Sequence, residues 1–124
     1  MTTLSSIYSD ILASNEPLKE LSGHVFLGLS DSTKSDLKNK GFDYYQGKIR
    51  ELIIGKDEIH MVHSDRLTAF DRYIAEVPYK GSMLAAIAGY WFKEASAIMP
   101  THLLAYPHER VLKTEKLTPI KIEV

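Results

Sequence analysis

The sequence has no cysteine, no excess of either charge, and no apolar run near the roughly 18 residues that a membrane helix needs. The first absence excludes disulfides and thiolate chemistry, and is compatible with a reducing compartment. The second follows from 15 Lys plus Arg against 16 Asp plus Glu, a formal net charge of -1. Nothing in that balance recommends nucleic acid or an anionic membrane as a partner, so any basic site must be local. The N-terminus also lacks a basic region followed by a long apolar stretch, as a secretory leader would have. The location expected from these absences is the cytoplasm, and 124 residues suit one domain with a real core.

What is present centres on Tyr45-Gln46-Gly47-Lys48-Ile49-Arg50-Glu51-Leu52. Read as a strand, this stretch sends Lys48 and Arg50 to one face and Ile49 and Ile53 to the other. Gly47 lets the backbone turn or approach a ligand closely. A glycine followed by two cations on one face points to phosphate, although a half-exposed edge strand with solvated charges would carry the same residues.

Elsewhere the pattern is mixed. Leu4, Ile7, Tyr8, Ile11 and Leu12 have the spacing of a short amphipathic helix, and Ser30 to Gly41 reads as a loop or short surface helix. From Tyr44 the character becomes β: Gly47 to Ile54 and Glu58 to His63 form a hairpin around Gly55-Lys56-Asp57. Ser64 to Asp71 is expected to be a polar loop facing Lys48, followed by an extended piece from Tyr73 to Val77. Met83, Leu84, Ile87, Trp91, Ala95 and Ile98 predict a helix over 82–98 with this apolar stripe on the sheet, started by Gly81 or Ser82 and ended before Pro100. Lys80 beside the positive end of that helix makes electrostatic sense if an anion binds there, and is otherwise a solvated lysine. After a loop over 102–107, Arg110 to Lys116 and Ile120 to Val124 read as strands. The alternation Ile120, Ile122, Val124 continues to the last residue, and suggests both a truncated portion of a longer protein and self-association through that strand. His60, His63, His102 and His108 raise a metalloprotein reading, but His60 and His63 at i and i+3 would leave a strand on opposite faces, so no metal site is assigned.

Taken together, Gly47-Lys48-Ile49-Arg50, Ser64-Asp65-Arg66-Leu67-Thr68-Ala69-Phe70-Asp71, Val77-Pro78-Tyr79-Lys80-Gly81, Tyr90-Trp91-Phe92, Pro100-Thr101-His102 and Pro119-Ile120-Lys121-Ile122-Glu123-Val124 resemble the SAICAR synthetase family of purine biosynthesis. The resemblance implies an α+β fold: the N-terminal lobe of a two-lobed protein, a twisted antiparallel sheet with a packed helix. It places this ATP-binding lobe at 44–124 and an N-terminal extension with a short helix at 1–43. It further implies an ATP-dependent ligase that joins carboxyaminoimidazole ribonucleotide to L-aspartate with magnesium present, giving SAICAR, ADP and phosphate. On that reading Gly47, Lys48 and Arg50 meet the triphosphate and Lys116 the adenine or ribose. Ser64, Asp65, Arg66, Asp71, Lys80 and Gly81 line the substrate cleft. The family's pattern continues past the position of Glu123, so no turnover is expected of these residues alone. The alternative from another class is a nucleotide-binding or interaction module without catalysis; a kinase is a further reading, for which no catalytic-loop block is present.

Overall fold

A computed structural model describes residues 25–123, and the helix expected at 4–12 lies outside them. The first regular element is α1 (Asp31–Asn39), whose N-cap Ser30 accepts a hydrogen bond from the Thr33 N–H. Five antiparallel strands follow in two hairpins and an excursion. They are β1 (Asp43–Gln46), β2 (Arg50–Ile54) and β3 (Glu58–His63), then, after a separate two-stranded hairpin of β4 (Arg66–Ala69) and β5 (Arg72–Glu76) and the helix α2 (Lys80–Ser96), β6 (Leu103–His108) and β7 (Val111–Glu115). The sheet order is β1-β2-β3-β7-β6, so the chain leaves after β3 and returns to pair β7 beside it.

Register assigns the two faces. Glu51, Val62 and Val111 stand opposite one another, as do Ile53, His60 and Lys113, and these share the face covered by α1. There Ile53, Val62 and Val111 pack with Phe26, Leu29, Leu37 and Phe42. Residues 25–42 therefore supply half of the core, and the boundary expected at 43/44 runs through it. The other face carries Leu52, Met61 and Leu112, and α2 lies over β3 and β7.

Several expectations are corrected. The strand expected from Gly47 starts at Arg50, because Gly47 to Ile49 form the turn after a strand β1 that the pattern did not separate. Lys48 consequently does not share a strand face with Arg50. Ser64 to Asp71 is not a loop: Arg66–Ala69 pairs with Arg72–Glu76, and Phe70 and Asp71 at the tip have φ of 49° and 62°, the left-handed pair of a two-residue hairpin turn. The segment expected as a loop over 102–107 is β6, an edge strand that accommodates Pro107. Ile120 to Glu123 forms no strand, and Ile120 and Ile122 are exposed. The helix α2 is present as predicted but turned: Gly81 and Ala85 are its buried residues, while Met83, Leu84, Ile87 and Trp91 are exposed. No helix among the described residues is long and apolar enough to cross a membrane.

Candidate functional site around the Gly47 turn

The turn between β1 and β2 is closed by the Gly47 N–H, which donates to the Arg50 carbonyl at 2.7 Å. A Cβ added at Gly47 would stand 3.0 Å from that same oxygen, so the tightness of the turn favours glycine. Lys48 projects from the turn, exposed, and its ammonium meets the exposed carboxylate of Asp71 at the tip of the β4–β5 hairpin. Arg50 opens β2, exposed, opposite His63 on the α2 side of the sheet.

Beneath the turn lies Arg66. Its Nε donates to the Lys48 carbonyl at 3.1 Å and its Nη2 to the Gly47 carbonyl at 3.0 Å. Its Nη1 reaches the Leu27 carbonyl at 2.7 Å and Glu51 Oε1 at 3.0 Å. Ser64 completes the support, both its hydroxyl (2.6 Å) and its N–H (3.0 Å) donating to the Ile49 carbonyl. Glu51 is fully buried beside Ile53 on the α1 face. Burial pushes its carboxyl above the usual range, against the opposing pull of the Arg66 hydrogen bond and charge and of the Leu29 N–H. Gly28 leaves room for this pair, since a Cβ there would stand 2.5 Å from Glu51 Oε1.

Asp65, also fully buried, ties the site to the helix. One carboxylate oxygen accepts the Gly81 N–H at 2.8 Å and an Arg110 Nη1 at 2.6 Å, and the other accepts the Phe26 N–H at 2.8 Å. Burial raises its pKa, but the Arg110, Gly81 and Phe26 hydrogen bonds and the Arg110 charge outweigh that and hold it below the usual value. The anion at the start of α2 is thus a side chain of this protein. The expected caps Gly81 and Ser82 are corrected accordingly: Tyr79, at φ 63°, occupies the N-cap position, and its side chain makes no capping hydrogen bond to the helix. Gly81 is instead squeezed against β3, where a Cβ would run into the His63 carbonyl and the Arg110 guanidinium. Lys80 bends toward the hairpin, donating to the Arg66 carbonyl at 3.1 Å.

Nine of the ten expected site residues therefore gather around one turn, though in two layers. Lys48, Arg50 and Asp71 are exposed; Ser64, Asp65 and Arg66 are buried under them with their polar atoms on backbone or ion-pair partners. That corrects the placing of these three, with buried Gly81, as open walls of a cleft. Lys116 lies at the far end of the β2–β3 hairpin, its Nζ donating to the Gly55 carbonyl at 3.2 Å. From Arg50 to Ile54 the strand rises about 14 Å at roughly 3.4 Å per residue. Glu51 and Arg110 were missed by sequence reasoning. For Glu51 a signal existed: alternation puts it on the same face as Ile49 and Ile53. His60 and His63 are both buried, on opposite faces of the sheet. Burial, the dominant cause, with the Arg50 and Lys80 charges, lowers the His63 pKa against the opposing Arg110 and Met61 backbone.

A sequence model of the SAICAR synthetase family matches residues 43–124. Phosphoribosylaminoimidazole-succinocarboxamide synthase of Legionella pneumophila (strain Paris) is 40% identical over 79 residues, which cover 64% of this chain and 25% of that protein. The chloroplastic enzyme of the same name from Arabidopsis thaliana is 32% identical over 78 residues, 63% of this chain and 19% of that one. A solved SAICAR synthetase (Type-2) in complex with ADP superposes with a TM-score of 0.55 at 30% identity, over 60% of this chain and 34% of its own. The SAICAR synthase of Saccharomyces cerevisiae complexed with SAICAR, at 22% identity and a TM-score of 0.54, shares the fold. The chain thus spans about a quarter of the Legionella relative. With two thirds of its residues matched by the family and its fold shared with solved members, the chain belongs to the SAICAR synthetase family.

Proposed function

We propose that this chain supplies the ATP-phosphate-binding part of an ATP-dependent ligase that joins carboxyaminoimidazole ribonucleotide to L-aspartate, giving SAICAR, ADP and phosphate. Family membership supports the reaction, and the similar protein in complex with ADP supports the nucleotide. The observation that carries the site is the Gly47 turn, which presents an exposed Lys48 above a buried base where Arg66 and Ser64 hold three successive carbonyls. Phosphoryl transfer is largely positioning and charge stabilisation, which a fixed turn with Lys48 and Arg50 can supply. Gly47, Lys48 and Arg50 are assigned to the triphosphate, with the phosphate displacing Asp71 from Lys48. Lys116, at the far end of the hairpin, is assigned to the adenine or ribose. Asp71 and Lys80 border the ground left for the second nucleotide and the amino acid. A cytoplasmic location accords with this reading and with the absence of cysteine.

Magnesium fits less well on the protein side. Among the described residues no three His, Asp or Glu groups converge as a metal site, and no step is assigned to a protein-held ion. Because the chain spans about a quarter of the Legionella relative, it is read alone as a nucleotide-binding module without turnover. The test is a calorimetric titration of magnesium-ATP into the chain and into Lys48→Ala. Saturable binding that weakens at least tenfold in the variant, about 1.4 kcal/mol, is expected, with no ADP released when all three substrates are added. Equal binding by both proteins would remove Lys48 from the site, and turnover by the chain would remove the module reading.

A further inference from the structure

We propose that Arg66, assisted by Ser64, is a positioning residue that aims the backbone amides of the Gly47 turn at phosphate. The inference rests on the ATP reading above and goes beyond its side-chain ligands. Of the five N–H donors of a guanidinium, four hydrogen bonds to protein oxygens are formed here, two of them to the successive carbonyls of Gly47 and Lys48. Ser64 takes the third carbonyl, that of Ile49. Three consecutive carbonyls are therefore drawn toward the protein interior. No peptide here is cis. In a trans peptide the C=O and the following N–H point in opposite directions, so drawing in the Gly47 and Lys48 carbonyls turns the Lys48 and Ile49 N–H groups outward. Outward amides beside an exposed ammonium form a donor set suited to phosphate oxygens.

The geometry also separates this role from direct binding. Arg66 is 8% exposed and its charge is shared with buried Glu51 at 3.0 Å, which leaves little for a ligand. A planar fork is needed to hold two successive carbonyls and Leu27 together, and a lysine cannot reproduce it. Arg66→Lys thus keeps the charge and removes the alignment.

The experiment uses the isotope-labelled full chain with inorganic tripolyphosphate as probe. In the unsubstituted protein, the Lys48 and Ile49 amide resonances are expected to move on titration. In Arg66→Lys those movements should vanish and affinity fall at least tenfold, while β3 and β7 amide resonances stay in place. Arg66→Lys binding as the unsubstituted protein does would overturn the inference; if Lys48→Ala still weakens binding, the ATP reading survives that failure. No binding of tripolyphosphate to the unsubstituted chain would sink both. Should Arg66→Lys disturb the sheet as well, Ser64→Ala decides by the same resonances: reduced amide movement supports the inference, and unchanged movement overturns it.

Discussion

At the scale of single residues, the fold depends on charged and polar groups placed where a sheet would ordinarily bury apolar ones. Asp65 gathers three donors from three separate segments, at Phe26, Gly81 and Arg110, and so joins the stretch before α1, the start of α2 and the approach to β7. Such a buried pair adds little net stability, but removing either partner leaves a charge without compensation. His60 is buried on the α1 face, with Lys113 and Glu58 nearby. Burial above all, then Lys113, lowers its pKa from 6.5 to about 4, with Glu58 pulling the other way. The native state then keeps His60 neutral while the unfolded chain takes up a proton below about pH 6.5, so stability must fall as pH drops from there to about 4. At roughly 1.4 kcal/mol per unit the loss is on the order of 3 kcal/mol. Urea unfolding at a series of pH values should show that His60→Leu flattens this interval, and an unchanged slope would remove His60 as its source. The sequence offered a partial view at this scale. Glu51 could be located from alternation within β2, but Arg110, just outside β7, has no periodicity to betray its burial.

Elements were legible where their period was long and unbroken. The β2–β3 hairpin and the extent of α2 follow the pattern because apolar side chains there recur at the spacing of the structure they form, whereas β5 and β7 are marked only by the short apolar runs Tyr73-Ile74-Ala75 and Val111-Leu112. β1 has four residues and β6 is an edge strand with irregular register, so neither gives enough alternation to be read. The orientation of α2 was misread for a physical reason. Large apolar residues were expected to seek the sheet, yet Gly81 sits against the His63 carbonyl and leaves room on that side only for small residues. Ala85 is fully buried, whereas Ile87 and Trp91 are 53% and 64% exposed. Ala85→Leu should therefore cost about 1–3 kcal/mol through overpacking. Ile87→Lys should change stability by no more than about 0.5 kcal/mol. Denaturant midpoints of the two variants decide this, and a larger loss from Ile87→Lys would mean that the stripe packs on the sheet after all.

Across the described residues of the molecule, large apolar side chains lie at the surface as well as in the core. On α2, Met83, Leu84, Ile87 and Trp91 recur at three- and four-residue spacings and are all exposed, so they line one side of the helix. Exposed apolar surface of that kind favours association. The sequence pointed to the C-terminal strand as the sticky element, but residues 117–123 form no strand whose backbone could pair. The helix face is the alternative carried by a regular element, and a second copy of the chain presents the same face. Sedimentation equilibrium should then give a mass above 14.0 kDa that rises with concentration. The double variant Ile87→Lys with Trp91→Lys should stay monomeric, because paired ammonium groups facing one another would repel and would have to be desolvated. Ile120→Lys with Ile122→Lys should leave the association intact. The reverse pattern would return the interface to the C-terminal segment, and a monomer at every concentration would mean that the apolar face of α2 does not hold a second copy.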